Sequence, residues 1–173
     1  MKNKILWFRI LQIALLALYI GLLVFYTLKS LENGAQSTES SNKVTDITAD
    51  VITTITQKPV EKTEDFKSFV RKFIGHYSYF VTLGTVSVFL YLTLRKLKPH
   101  YRFIIHFSTG FIYAIMTEFW FQKVAGTRGP NWNDVGLDYL GFITISIFVL
   151  MIYYIIYFTK RRKKLIYIKS IQN

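Results

Sequence analysis

The chain has 173 residues, of which 51% are hydrophobic, 17% aromatic and 18% charged, with a formal net charge of +12 and no cysteine. An average soluble domain carries about 25% charged residues; here all twenty-two Lys and Arg and all ten Asp and Glu lie outside four long apolar blocks or near their ends, which excludes an ordinary water-soluble fold. The missing cysteines exclude a disulfide framework and any thiolate metal or nucleophile site. Because the Lys and Arg flank apolar blocks and form no basic stripe on a folded domain, nucleic acid is not an expected partner.

A helix needs about 20 apolar residues to cross the hydrocarbon core. Ile10–Leu28 carries no charge, so residues 1–28 read as a cytoplasmic N-terminus and a first span. The run exceeds a signal-peptide apolar core of about 7–15 residues, so it is expected to stay as an anchor. Further spans are expected at 73–94, 103–121 and 135–158. The fold class that follows is an all-α membrane protein, a four-transmembrane-helix bundle with a long, partly helical outer loop between helices 1 and 2. Residues 73–159 form its core and 160–173 a basic tail. The segments before the first span, between the second and third, and after the fourth hold thirteen basic residues and no acid, whereas the opposite side holds nine basic residues and all ten acids. The positive-inside rule therefore predicts a multi-pass protein with both termini cytoplasmic.

Residues 29–72 form the long outer segment. Ser37–Asn42 reads as flexible low-complexity sequence. Val44, Ile47, Val51 and Ile55 share one helical face, but threonine-rich segments form helices weakly, so either a short surface helix or a partly ordered loop fits. Thr63, followed by Glu64 and Asp65, reads as a helix N-cap. Phe66, Phe69, Val70 and Phe73 then continue into the second span, with Lys67, Arg71 and Lys72 beside the stripe; this stretch is expected to lie on the outer surface before turning inward. Pro99 is read as ending any helix in the basic connector Arg95–Arg102.

Ionisable groups inside spans cost about 2.5–3.5 kcal/mol at the membrane centre and mark either function or a buried pair. His106 sits near the cytoplasmic end of its span and reads as an interfacial histidine. The other groups gather at the outer side: His76; Glu118 with Gln122 four residues on; Arg128 in the loop; and Asp134 with Asp138 four residues on, all within one turn or so of the outer ends. Arg128 can reach either acid pair from the loop. The bland alternatives are a cap from Asn133 or Asp134 and a closing Arg128–Asp138 ion pair. Gly110, Ala114, Gly136 and Gly141 suit close helix packing in lipid, and Gly110 with Ala114 is also a candidate surface for a homo-oligomer. His76, Glu118 and Asp138 lack a zinc-type ligand spacing, and no glycine loop for phosphate is present, so no metal or cofactor is expected.

The run from Tyr113 to Gly141 and the upstream Phe69–Phe80 segment are similar to the pattern of the VanZ-like family of teicoplanin-resistance proteins. The matching positions are Glu118, Gln122, Arg128, Asp134, Asp138 and Gly141, with Arg71, Lys72 and His76 upstream. Thr117 stands where the family often has Asp. The resemblance covers about residues 37–158 and implies a bacterial plasma-membrane protein associated with glycopeptide resistance. From the residues themselves, the outer cluster is expected to bind a membrane lipid headgroup or a lipid-linked cell-wall precursor. Arg71, Lys72 and Arg128 would meet phosphate, because guanidinium presents a planar fork of donors. His76, Glu118 and Asp138 are the candidates for acid/base roles if the protein is instead a hydrolase or transferase acting on a lipid-linked substrate.

Overall fold

The computed structural model describes residues 2–32, 34–94, 96–126 and 131–172. Among them every regular element is helical: α1 (Lys2–Ser30), α2 (Gly34–Thr56), α3 (Glu64–Val70), α4 (Ser78–Thr93), α5 (Pro99–Ile115), α6 (Gln122–Ala125) and α7 (Trp132–Gln172). Two π-helical segments, Arg71–Tyr77 and Met116–Phe121, join α3 to α4 and α5 to α6 without a break.

Local chemistry explains the ends. Thr63 caps α3, its hydroxyl accepting from the Phe66 amide at 3.2 Å, as the sequence predicts. Pro99 opens α5 at the first helical position, where its missing N–H costs nothing; it starts a helix, and α4 has already ended at Thr93. Gly126 closes α6 with φ +63°, a left-handed conformation that glycine adopts without strain. The cap of α7 is neither Asn133 nor Asp134: Asn131 accepts from the Asn133 amide at 3.0 Å, leaving Asp134 in the first turn.

Three helices are long and apolar enough to cross a membrane, Ile5–Ser30, Glu64–Thr93 and Trp132–Arg162. The fourth expected span, 103–121, is helical throughout, but α5 with its polar continuation is not among the three. Exposed Ile13, Leu18, Ile147, Ile155 and Phe158 give α1 and α7 apolar outer surfaces that lipid covers at no cost. Glu64–Thr93 runs as one helix of 30 residues, so the residues before 73 continue straight into this long helix without a turn, because the π segment keeps the backbone bonded through the junction.

The helices meet through glycine and aromatic rings. A Cβ on Gly84 would stand 2.9 Å from the Phe142 carbonyl oxygen, and one on Gly110 would enter the Phe142 ring at 2.6 Å. Gly141 packs against the Tyr77 carbonyl still more tightly. Gly110 and the fully buried Ala114 are therefore packed against other helices of the same chain, whereas Gly136 faces open space. Tyr26, Phe80, Leu83, Tyr113, Ala114, Val135 and Phe142 form the main apolar core. Tyr113 anchors α1 to it, donating its hydroxyl to the Leu23 carbonyl at 2.7 Å.

The outer segment departs most from expectation. Ser37–Asn42 is not a flexible patch: it belongs to the 23-residue α2. Its threonines donate to the carbonyl four residues back, Thr45 to Ser41 and Thr48 to Val44 at 2.8 and 2.7 Å; such bonds weaken a helix slightly on their own, so packing against its neighbours has to hold α2. The packed face carries Thr45 and Ala49, both 2% exposed, while Ile47, Val51 and Ile55 point outward. Small side chains let α2 lie close against α3 and the π segment after it. Lys29, Glu32 and Ser40 tie its start to the end of α1, Lys29 reaching Glu32 at 2.6 Å and Ser40 donating to Glu32 at 3.1 Å.

Candidate functional site

Both π segments carry the site. A π turn adds a residue to the helical ring and re-aims the side chains that follow. His76 lies in the Arg71–Tyr77 segment, and Thr117 and Glu118 lie in the Met116–Phe121 segment. Around the first, both the amide and the hydroxyl of Ser78 bond the Phe73 carbonyl, the hydroxyl at 3.0 Å. In the second, the Thr117 hydroxyl donates to the Ala114 carbonyl at 2.8 Å. Asp138 enters from the second turn of α7, opposite both.

His76 Nδ1 stands 3.1 Å from Asp138 Oδ1 and 3.7 Å from Glu118 Oε1. Gln122 Nε2 donates to Glu118 Oε1 at 2.6 Å, and Thr117 Oγ1 lies 3.4 Å from Asp138 Oδ2. The Glu118 and Asp138 side chains are 1% and 2% exposed, that of His76 16%. Two carboxylates and an imidazole thus share one buried spot, where each group left without a counter-charge or hydrogen bond would cost several kcal/mol. The sequence contained these residues but no ligand spacing; three different helical runs bring them together.

This spot is the floor of a cavity of about 420 Å³, within the usual size of small-ligand sites. Arg71, Ile74, Phe80 and Val70 form one wall, Tyr26, Lys29 and Ser30 of α1 another, and Ser37, Ser40, Ser41 and Lys43 of α2 cover it. Lys43 pairs with Glu39 at 2.7 Å, and that hydrogen bond and charge raise the lysine above its ordinary range and hold the Glu39 carboxyl below its own. The cavity therefore has two carboxylates and an imidazole at the floor, and toward α1 and α2 it is lined by hydroxyls and by Lys29 and Lys43, each paired with a glutamate (Glu32 and Glu39).

Of the expected residues, Arg71, His76, Glu118, Gln122 and Asp138 line this cavity. Lys72 does not; it faces outward, one position round the helix from Arg71. Asp134 is buried one turn before Asp138 on α7 but off the wall, and Arg128 lies outside the described residues. The sequence reading missed Lys29, Ser30 and the α2 serines. Their composition looked like a solvated linker, and a helix folding back as a cover leaves no local signature.

A second polar centre replaces the interfacial histidine expected at 106. His106 is 3% exposed. Its Nδ1 lies 2.8 Å from Ser87 Oγ and its Nε2 2.9 Å from Ser146 Oγ. Ser146 spends its proton on the Phe142 carbonyl at 2.6 Å, so it accepts from Nε2–H, and Nδ1 accepts from Ser87. The chain of bonds joins α4, α5 and α7. No family model, no curated protein and no solved structure matches this chain.

Proposed function

We propose that the chain is a VanZ-like membrane protein whose outer cavity binds an anionic lipid headgroup or a lipid-linked cell-wall intermediate, and that through this it supports resistance to teicoplanin-type glycopeptides. In this reading 103–121 is the fourth crossing, and the termini and basic connectors face the cytoplasm, which sets the cavity mouth at the outer leaflet. The observation that carries the reading is the mixed lining of the cavity: Arg71 suits phosphate oxygens, with Lys29 and Lys43 beside their glutamate partners, and Tyr26, Val70, Ile74 and Phe80 offer apolar wall to a lipid stem. The serine hydroxyls of α2 suit sugar or phosphate oxygens.

The test is lipid binding by the purified chain in nanodiscs, using native mass spectrometry with phosphatidylglycerol and with a polyprenyl pyrophosphate. Arg71→Ala should weaken whichever lipid binds by about tenfold or more, the scale of a lost charge-assisted phosphate contact. Equal retention of both lipids by wild type and Arg71→Ala refutes the reading, as does unchanged teicoplanin susceptibility on deletion in a host that expresses the protein.

One observation favours a second reading. The 3.1 Å His76–Asp138 pair beside Glu118 has the arrangement of an oriented acid/base group, which would make the protein a hydrolase or transferase on a lipid-linked substrate. Release of phosphate from labelled polyprenyl pyrophosphate, lost in His76→Ala, would establish it; no turnover above buffer would remove it.

A further inference from the structure

The geometry points to a divalent-cation site at the cavity floor, with His76 Nδ1, Glu118 and Asp138 as ligands and an ion of the zinc or manganese kind as occupant. The three ligand atoms all lie within 4.8 Å of one another. An ion about 2.0–2.2 Å from nitrogen and carboxylate oxygen sets neighbouring ligands about 3–3.5 Å apart; His76 Nδ1 stands 3.1 and 3.7 Å from the two carboxylates, and the carboxylates, within 4.8 Å of each other, would draw together around the ion. Mixed imidazole and carboxylate donors suit Zn²⁺ or Mn²⁺ better than an all-oxygen ion such as Ca²⁺.

Charge and the surrounding polar groups argue the same way. Two buried carboxylates side by side offer a doubly charged ion matching opposite charge. The Gln122 Oε1 atom is fully buried and has no hydrogen-bond partner among the described residues, while its Nε2 already holds Glu118. Sharing one amide carbon with the Nε2 that holds Glu118, it is an acceptor available to a water on the ion. Thr117 beside Asp138 Oδ2 supplies the outer support that ligating carboxylates generally have. Three protein ligands leave coordination positions open toward the cavity, where an anionic oxygen could bind. The site itself does not depend on what fills the cavity above.

The full chain, purified in lipid-free detergent and stripped with EDTA, is titrated with ZnCl₂ and with MnCl₂. Bound metal is counted by mass spectrometry, and thermal unfolding is followed at each concentration. One equivalent of one of these ions per chain is expected, with a melting temperature that rises with free metal. Glu118→Gln and Asp138→Asn, which keep shape and remove charge, should each weaken binding by about tenfold or more, while Lys96→Ala, at an exposed position outside the cavity, should not. Should the two variants fail to fold, Co²⁺ is titrated into wild type, where a saturable visible absorption band displaced by Zn²⁺ supports the site. Absence of saturable uptake by wild type, or affinity unchanged in folded Glu118→Gln and Asp138→Asn, overturns it. Because no lipid is present, failure here leaves the lipid-binding test standing on its own.

Discussion

Replacing Ser146 by alanine should destabilise the protein from its centre, although the change removes one oxygen. In the native state His106 Nε2–H donates to Ser146 Oγ at 2.9 Å and Nδ1 receives Ser87 at 2.8 Å, all three residues being buried. Ser146→Ala strands a buried N–H, which costs about 1–3 kcal/mol; the Phe142 carbonyl that loses the serine proton keeps its helical partner and adds little. His106→Ala removes the ring and leaves a void against Phe142, whose ring centroid lies 4.9 Å away. That should cost about 2–5 kcal/mol, the range of large-to-small core changes. Crossing the two substitutions should give a coupling of about 0.6–1.7 kcal/mol, the range of interhelical hydrogen bonds within membranes. Unfolding in mixed micelles with increasing SDS measures all three, and nitrogen NMR of labelled histidine should find the proton on Nε2. Coupling near zero, or a proton on Nδ1, would refute the assigned chain of donors.

Other substitutions separate packing from open surface. Gly141→Ala must push against the Tyr77 backbone and Gly84→Ala against the Phe142 carbonyl; each should cost about 1–3 kcal/mol by overpacking, read from the same SDS unfolding. Gly136→Ala, with nothing near its would-be Cβ, should instead stabilise by about 0.4–1 kcal/mol through a less flexible unfolded chain. Thr63→Ala removes the cap of the second crossing helix and should cost about 1 kcal/mol, with hydrogen exchange rising in the first turn near Phe66. Glu32→Ala removes the acceptor shared by Lys29 and Ser40 and leaves only their direct 3.3 Å contact, so proteolysis should cut α2 faster than in wild type; an unchanged rate would show that this cluster does not hold the cover in place.

The sequence determined the lipid-facing character of the chain, because an uncharged 19-residue run such as Ile10–Leu28 has few options in water. It also determined the start of the second crossing helix, since Thr63 with two acids behind it is local chemistry that no distant contact must supply. Spacing alone placed Gln122 on Glu118, one helical turn apart. Other features depended on partners far along the chain. Whether Ser37–Asn42 was linker or helix turned on small side chains meeting α3, a surface the segment itself does not encode. Whether His106 faced the interface or the interior was settled by Ser87 and Ser146, 19 and 40 residues away. The same holds for the imidazole and two carboxylates at the cavity floor: helical periodicity says which residues share one helix face, but π winding and the close approach at Gly141 decide which faces of different helices meet, and those depend on packing that only the folded chain supplies.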